Sequence, residues 1–278
     1  MIWRTAMPAL IGVALFAATA YETEIAQWRQ QREANLKRDG GWLSVAGLFW
    51  LHEGANLVGS DPQSDVVLPA SAPKRAGVLD FRSGQVRYQP ASGSAEILKP
   101  DDPGPPDVVN IGSIAMTVIK RVGRTGVRLR DPNAQTRLHF TGLKWFPIRE
   151  AWRIEAKWIA YPQPKKIAIT NILGMTDQEP SPGYAEFNMQ GKTLRLEPVT
   201  EDNELFFMFK DQTSGKATYG AGRFLYAAIP TGATVTLDFN RAENPPCAFT
   251  AFATCPLPPR QNWLPVSIEA GEQKYGPH

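Results

Sequence analysis

The stretch Tyr184–Val199, YAEFNMQGKTLRLEPV, decides the fold class. Within KTLRLEP, Thr193, Arg195 and Glu197 alternate with Leu194 and Leu196, a period of two that sends the polar side chains to one face of a strand and the leucines to the other. The intervening MQG supplies the glycine that a tight turn favours, so the segment reads as a hairpin with one wet and one buried face. The same pattern recurs in GVLDF-RSG-QVRYQ (77–89), SIAMTVIKRV-GRTG-VRLRD (113–131) and FLYAAI-PTG-ATVTLDF (224–239). A chain built this way is mostly β, an antiparallel meander forming a sandwich or barrel.

Upstream the period changes. In ETEIAQWRQQREANLKRDGG (22–41), Ile25, Trp28, Arg32 and Leu36 fall at three- and four-residue steps and Gly40-Gly41 provides a stop, which predicts one N-terminal amphipathic helix whose Trp28 buries against a sheet. Between Lys99 and Asn110, KPDDPGPPDVVN is rich in proline and aspartate with little to bury before Val108. It is the best linker candidate. The chain is therefore divided into residues 21–105, the helix plus a smaller β-sandwich-like part, and residues 106–278, the β-meander.

Residues 1–20, MIWRTAMPALIGVALFAATA, place one cation at Arg4, an apolar run over 6–17 and the small-x-small triplet Ala18-Thr19-Ala20, the layout of a signal peptide cut after Ala20. The run is shorter than the roughly 20 apolar residues a span needs, so no stable membrane insertion is expected after cleavage. The expected location is periplasmic or extracellular. Arg4 leaves with the leader and the formal charge falls from +3 to +2, too little for a polyanion binder, and nucleic acid is not an expected partner.

The chain's two cysteines lie in DFNRAENPPCAFTAFATCPLPPRQNWLP (238–265). In an oxidising compartment they predict one disulfide, Cys247–Cys255. Prolines at 245, 246, 256, 258 and 259 remove backbone donors and fix φ, so this segment is expected to cross the surface as an extended cover, with Ala248, Phe249, Phe252 and Leu257 filling apolar holes. NWLPVSIEA (262–270) is expected to return as a last strand.

The runs GLFWLHEGANLVGSDPQSDVVLP, YGAGRFLYA, DFNRAENPPCAFTAFATCPLPP and NWLPVSIEAGE together resemble domain-of-unknown-function family 1684. The resemblance implies a shared, largely β fold and carries no activity, cofactor or catalytic residue. Glu243 departs from it, since an aromatic residue is expected in that motif. A second likeness, of NLVGSDPQSDVVLPASAPKRAGVLDF to the opening strands of a forkhead-associated domain, implies a phosphothreonine reader. Here, however, Ser60 follows Gly59 and Ala76 stands near the histidine position, leaving Lys74 and Arg75 as the cations.

No GxSxG elbow, HExxH or phosphate-cradling glycine motif occurs, and no cofactor or metal is expected. His52 at a turn and His139 in an expected strand read as structural or surface histidines. The concentration of polar groups in the final third supplies the candidate ligand-binding residues: Asp211, Tyr219, Arg223, Asp238, Asn240 and Asn244, with Lys144 and Trp145 as a wall. Either Arg223 closes an internal ion pair with an aspartate, or it opens onto a pocket and clamps an anion beside Asp211 or Asp238. The expected function is ligand or partner binding, the ligand a small or extended molecule. A cofactor-independent hydrolase of envelope or extracellular material using Asp and Arg chemistry, with Asp211, Asp238 and Glu269 as the carboxylates to choose from for glycoside hydrolysis, and a degenerate phosphopeptide module, are the alternatives.

Overall fold

The computed structural model describes residues 19–276. The leader expectation falls almost entirely on residues 1–18, outside the described residues. Helix α1 (Ala20–Lys37) starts on a capping box, in which the Thr19 hydroxyl accepts from Glu22 N and the Glu22 carboxylate accepts from Thr19 N. Ile25 and Leu36 are buried as the helical period requires. Trp28 is half-buried and packs edge-on against Trp145, 5.7 Å between ring centroids, rather than against a sheet.

Nine strands follow in the first half: β1 (Val45–Trp50), β2 (Gly54–Gly59), β3 (Val66–Val67), β4 (Gly77–Arg82), β5 (Gln85–Pro90), β6 (Glu96–Leu98), β7 (Val108–Ile111), β8 (Ile114–Arg121) and β9 (Arg124–Arg130). They form two sheets, ordered β3-β2-β4-β5-β6 and β1-β9-β8-β7. One apolar core, from Val58 and Val66 through Leu79 and Val86 to Val127 and Leu129, joins them. This core draws on both sides of position 105, so the proline-rich 99–107 segment is a loop within it: Asp107 N donates to Lys99 O and Asp101 N to Val118 O.

The second half contributes β10 (Arg153–Thr170), β11 (Thr176–Met189), β12 (Lys192–Leu196), β13 (Val199–Glu201), β14 (Glu204–Phe209), β15 (Arg223–Ala228) and β16 (Thr234–Asp238). The sheet orders are β12-β11-β10-β16 and β13-β14-β15. Two-residue turns with both φ values positive close β4-β5, β8-β9, β11-β12 and β13-β14 at 83–84, 122–123, 190–191 and 202–203. That twist matches hairpin strands. The FLYAAI and ATVTLDF runs are both strands, but they do not pair. Their PTG connection carries the chain from one sheet to the other, β15 lying on β14 and β16 on β10.

The three-stranded sheet β13-β14-β15 positions the site. Leu205, Phe207 and Phe209 of β14, with Leu225 and Ala227 of β15, enter the main second-half core. Phe206 and Met208 with Phe224 occupy the opposite face, which is also covered. Alternation therefore persists although both faces are apolar.

Three further expectations are corrected. Glu197, one residue beyond β12, is buried and accepts from Tyr161 Oη at 2.8 Å and Gln261 Nε2 at 2.9 Å. His139 caps the short helix Gln135–Leu138 instead of sitting in a strand. Residues 262–270 form no strand, because Pro265 interrupts the donors, yet Leu264, Val266, Ile268 and Ala270 still alternate into the core, and Lys210 and Leu264 exchange backbone bonds with the neighbouring segment. In the proline segment Ala248 and Phe249 are buried and Leu257 partly so, whereas Phe252 is exposed.

Candidate functional site

Four separate places hold the residues that composition singled out. Arg223 begins β15 after Gly222, whose φ of +107° and near contacts with Phe209 O and Pro258 exclude a side chain. The Arg223 side chain is 1% exposed. It donates to Asp211 Oδ2 at 2.6 Å, Ile268 O at 2.8 Å and Ala270 O, and its guanidinium lies over the Phe209 ring. Burial lowers its pKa, opposed by Asp211. Asp211 in turn accepts from Thr213 N and Oγ1. The pair is closed, and it ties β15 to the irregular tail.

Asp238 and Asn240 sit at the start of α1. Tyr21 Oη donates to Asp238 at 2.8 Å, and Asn240 Nδ2 reaches Tyr21 Oη and Arg149 O. Burial and then Asp238 raise the Tyr21 pKa. Asn244 donates through Nδ2 to Gln273 O, and Trp145 Nε1 donates to Glu33 on α1. Lys144 is exposed. Tyr219 Oη donates to Cys247 O at 3.2 Å. The three carboxylates considered for hydrolysis are not gathered: Asp211 lies beneath Arg223, Asp238 at the helix start, and Glu269 in solvent. Around the forkhead-like loop, Ser60 N and Oγ bond Pro73 O and Ala72 O, and Lys74 and Arg75 are exposed.

Tyr219 lines a concavity of about 640 Å³ with Cys247 and Phe249, but the charged cleft lies elsewhere. A cleft of about 660 Å³ opens between the first-half sheet that contains β8 and β9 and the outer face of β13-β14-β15. Its floor is aromatic: Phe206 stacks on Tyr226 at 4.9 Å between centroids and meets Phe224 edge-on at 4.7 Å. The proline segment supplies one edge through Thr254, Cys255 and Pro256. That edge is fixed from two sides. Arg121 Nε donates to Thr254 Oγ1 at 3.3 Å, while Ile172 N donates to Cys255 O and Leu257 N to Thr170 O from the tip of the β10-β11 hairpin.

One wall is basic. Arg121 forms a two-pronged pair with Asp101, Nη1 to Oδ1 at 2.9 Å and Nη2 to Oδ2 at 2.7 Å. Asp101 thereby makes no hydrogen bond to Arg128. In β9, Val127 and Leu129 enter the first-half core, so Arg128 points to the opposite face, where it lines the cleft. It is only 5% exposed, its guanidinium stands 5.0 Å from the Trp42 ring, its Nε has no hydrogen-bond partner, and among the described residues it makes no salt bridge. Burial, reinforced by Arg121 and Arg130, pushes its pKa down to about 10.

At the opposite side stand Asp177, Glu179 and Glu201. Burial raises the pKa of Glu179, helped by Asp177 and Asp102, and burial and Asp202 raise that of Glu201, which accepts from Tyr226 Oη at 3.4 Å. Deeper, Arg32 Nε is shared between Glu272 at 2.9 Å and Glu243 at 3.2 Å. Two carboxylates on one buried cation leave a negative excess. Burial, opposed by Arg32 and assisted by Glu272, pushes Glu243 up to about 7. The aromatic-to-Glu243 departure noted in the sequence thus places an acid at the cleft floor, where its backbone pairs with Phe224.

Cys247 and Cys255 face each other as thiols, Cys247 N directed at Cys255 Sγ (3.1 Å) and Cys255 N at Cys247 Sγ (3.4 Å). Their mutual contact lowers the pKa of Cys247 and raises that of Cys255. Among the described residues no three His, Cys, Asp or Glu side chains gather where a metal ion could be held, and no helix is long and apolar enough to cross a membrane.

The cleft residues escaped the sequence reading because they are dispersed over a span from Arg32 to Pro256 and share no motif. One signal was present: Arg128 lies between Val127 and Leu129 in a strand whose outward face is covered by a second sheet, a position that ordinarily holds an apolar side chain. No curated protein matches the chain. An uncharacterized protein of Haloarcula marismortui, solved in solution by NMR, is 30% identical over 51% of this chain and 81% of that one, with a TM-score of 0.43. The family model described as a protein of unknown function (DUF1684) matches residues 138–273, nearly all of the second half with the floor and acidic side of the cleft. The chain belongs to the DUF1684 family.

Proposed function

We propose that this protein is exported and binds a small or extended anionic ligand, without a cofactor, in the cleft between its two halves. The observation that carries the reading is Arg128. A guanidinium buried to this degree ordinarily has an acidic or hydrogen-bonding partner inside the protein. The neighbouring acid, Asp101, is already occupied by Arg121, and the open side of Arg128 faces a cavity large enough for a small molecule. An anion of planar or tetrahedral geometry would supply the missing acceptors. Trp42 and the Phe206-Tyr226 stack would cover its apolar part.

Export is supported by the leader-like 1–20 segment; a cut after Ala20 removes the Thr19 cap of α1 and leaves Tyr21 held by Asp238. The facing of Cys247 and Cys255 supports a disulfide in the exported chain.

The test is calorimetric titration of the full exported chain with inorganic phosphate, sulfate and benzoate in a low-ionic-strength zwitterionic buffer. At least one should bind saturably to the wild type and lose most of its affinity in Arg128→Met. Equal affinity of the two proteins, or no saturable binding of any of the three, overturns the proposal.

A further inference from the structure

We infer that the occupant of the cleft is a dipolar amine-acid of the amino-acid or short-peptide class, with its carboxylate or phosphate at Arg128, its ammonium at the Glu179-Glu201 wall and an apolar body over the aromatic floor. The inference rests on the anion reading of Arg128 and deepens it.

Apart from Asp101 and Asp102 beside the basic side and the Arg32-Glu243 contact at the floor, charge in the cleft is segregated. Lys120, Arg121 and Arg128 come from β8 and β9, whereas Asp177, Glu179 and Glu201 come from β11 and β13. Opposite charges able to meet across a narrow gap would pair, as Arg121 and Asp101 do on the basic side itself. Across the cleft they do not. No salt bridge reaches Asp177, Glu179 or Glu201 among the described residues, and no cation contributes to the protonation of Glu179 or Glu201, whose neighbours are other carboxylates.

What holds the walls apart is the packed floor of Phe206, Phe224 and Tyr226 together with the tail edge at Thr254–Pro256. Both ends are therefore left wanting a charge of opposite sign, with an apolar surface between them. A simple anion satisfies one end and leaves partly buried carboxylates repelling each other at the other. A molecule with an ammonium group at its far end satisfies both, and complementary potential of this kind selects among ligands. Tyr226 Oη, bonded to Glu201, orients that carboxylate toward the floor where the ligand body would lie.

The experiment titrates the full chain with the dipeptide Ala-Phe, its N-acetyl form and its C-terminal amide, and in parallel with 2-aminoethyl phosphate and ethyl phosphate, so that carboxylate and phosphate sources are separated. For at least one of the two ligands, removing the amine charge should weaken binding about tenfold or more, the loss expected for one unsatisfied charge contact. The double variant Glu179→Gln, Glu201→Gln should abolish that preference, and the affinity for the N-acetyl dipeptide or ethyl phosphate should not fall. Arg128→Met should instead weaken the acid-bearing forms and should not weaken binding of the dipeptide amide. If acetylated and free-amine ligands bind equally, the dipolar inference fails while the anion reading stands. If phosphate, sulfate and benzoate bind but neither amine-acid does, it fails likewise. If the Arg128→Met arm is flat, the anion reading itself fails.

Discussion

Replacing Arg128 by methionine should make the unliganded protein more stable, an unusual direction for a large buried side chain. Moving a guanidinium from its ordinary 12.5 to about 10 represents about 3 kcal/mol of lost charge stabilisation, at about 1.4 kcal/mol per pH unit. The sign follows from protonation: below pH 10 Arg128 is charged in both folded and unfolded chains, so the folded state carries the full cost at neutral pH and the cost is flat across the physiological range. Against it stands the contact with the Trp42 ring at 5.0 Å, worth about 0.5–2 kcal/mol for a desolvated cation on indole. Methionine retains most of the apolar contact of the stem. A net gain of about 1–2.5 kcal/mol remains, which for a chain of this size raises the melting temperature by roughly 2–10 °C. The assay is thermal and urea unfolding followed by circular dichroism, in zwitterionic buffer and again with phosphate, which should stabilise only the wild type by occupying the site. A loss of more than about 1 kcal/mol on substitution in the anion-free buffer would refute the reasoning, because the guanidinium must then be satisfied from within.

Two further outcomes bear on the second half. Asp211→Ala should lose about 3–5 kcal/mol by stranding Arg223 in the core, and Asp211→Ala with Arg223→Met should lose clearly less than the two single losses combined; additive losses measured by urea unfolding would show the pair to be uncoupled. Intact mass spectrometry of the exported chain should show a start at Tyr21 and two hydrogens fewer than the dithiol, and reduction should remove about 2.5 kcal/mol for the nine-residue loop from Cys247 to Cys255; a dithiol mass, or identical melting of oxidised and reduced protein, would show that no staple forms.

The fold was largely legible because alternation and turn glycines are local: KTLRL, QVRYQ and VRLR fall in strands, and the capped helix with Ile25 and Leu36 on one face follows the 3.6 period. What local pattern could not supply is which strand pairs with which. FLYAAI and ATVTLDF have the look of a hairpin, but the backbone of β15 is paired with β14 along one edge and with Glu243 of the tail at the other. Glu197 shows the same limit: parity put it on the wet side of β12, and the Asn262 side chain of the distant tail, bonding Glu197 N and O, draws it inward. For the site, the sequence concentrated attention on polar residues close together in the chain. Arg223, Asp211, Asn240 and Asn244 are close in the chain because they stitch the tail to its neighbours, whereas the cleft is assembled from residues far apart.

The arrangement of β9 argues that the buried charge at the cleft is held against the demands of stability. Pleating sends Val127 and Leu129 into the first-half core, so position 128 must face the second half, and its surroundings of Trp42, Cys255 and the aromatic floor would accommodate an apolar side chain. An arginine there, beside Arg121 and Arg130 and with no hydrogen bond to Asp101, costs folding free energy that the Trp42 contact offsets only in part. Departures of this kind, where local choice opposes packing, concentrate at functional sites. The closed Arg223-Asp211 pair provides the internal contrast: it is equally buried, in the same protein, and supplied with a carboxylate and two carbonyls. A chain able to complete one buried arginine this fully, yet leaving another open to a 660 Å³ cleft, is built to receive the missing acceptor from outside.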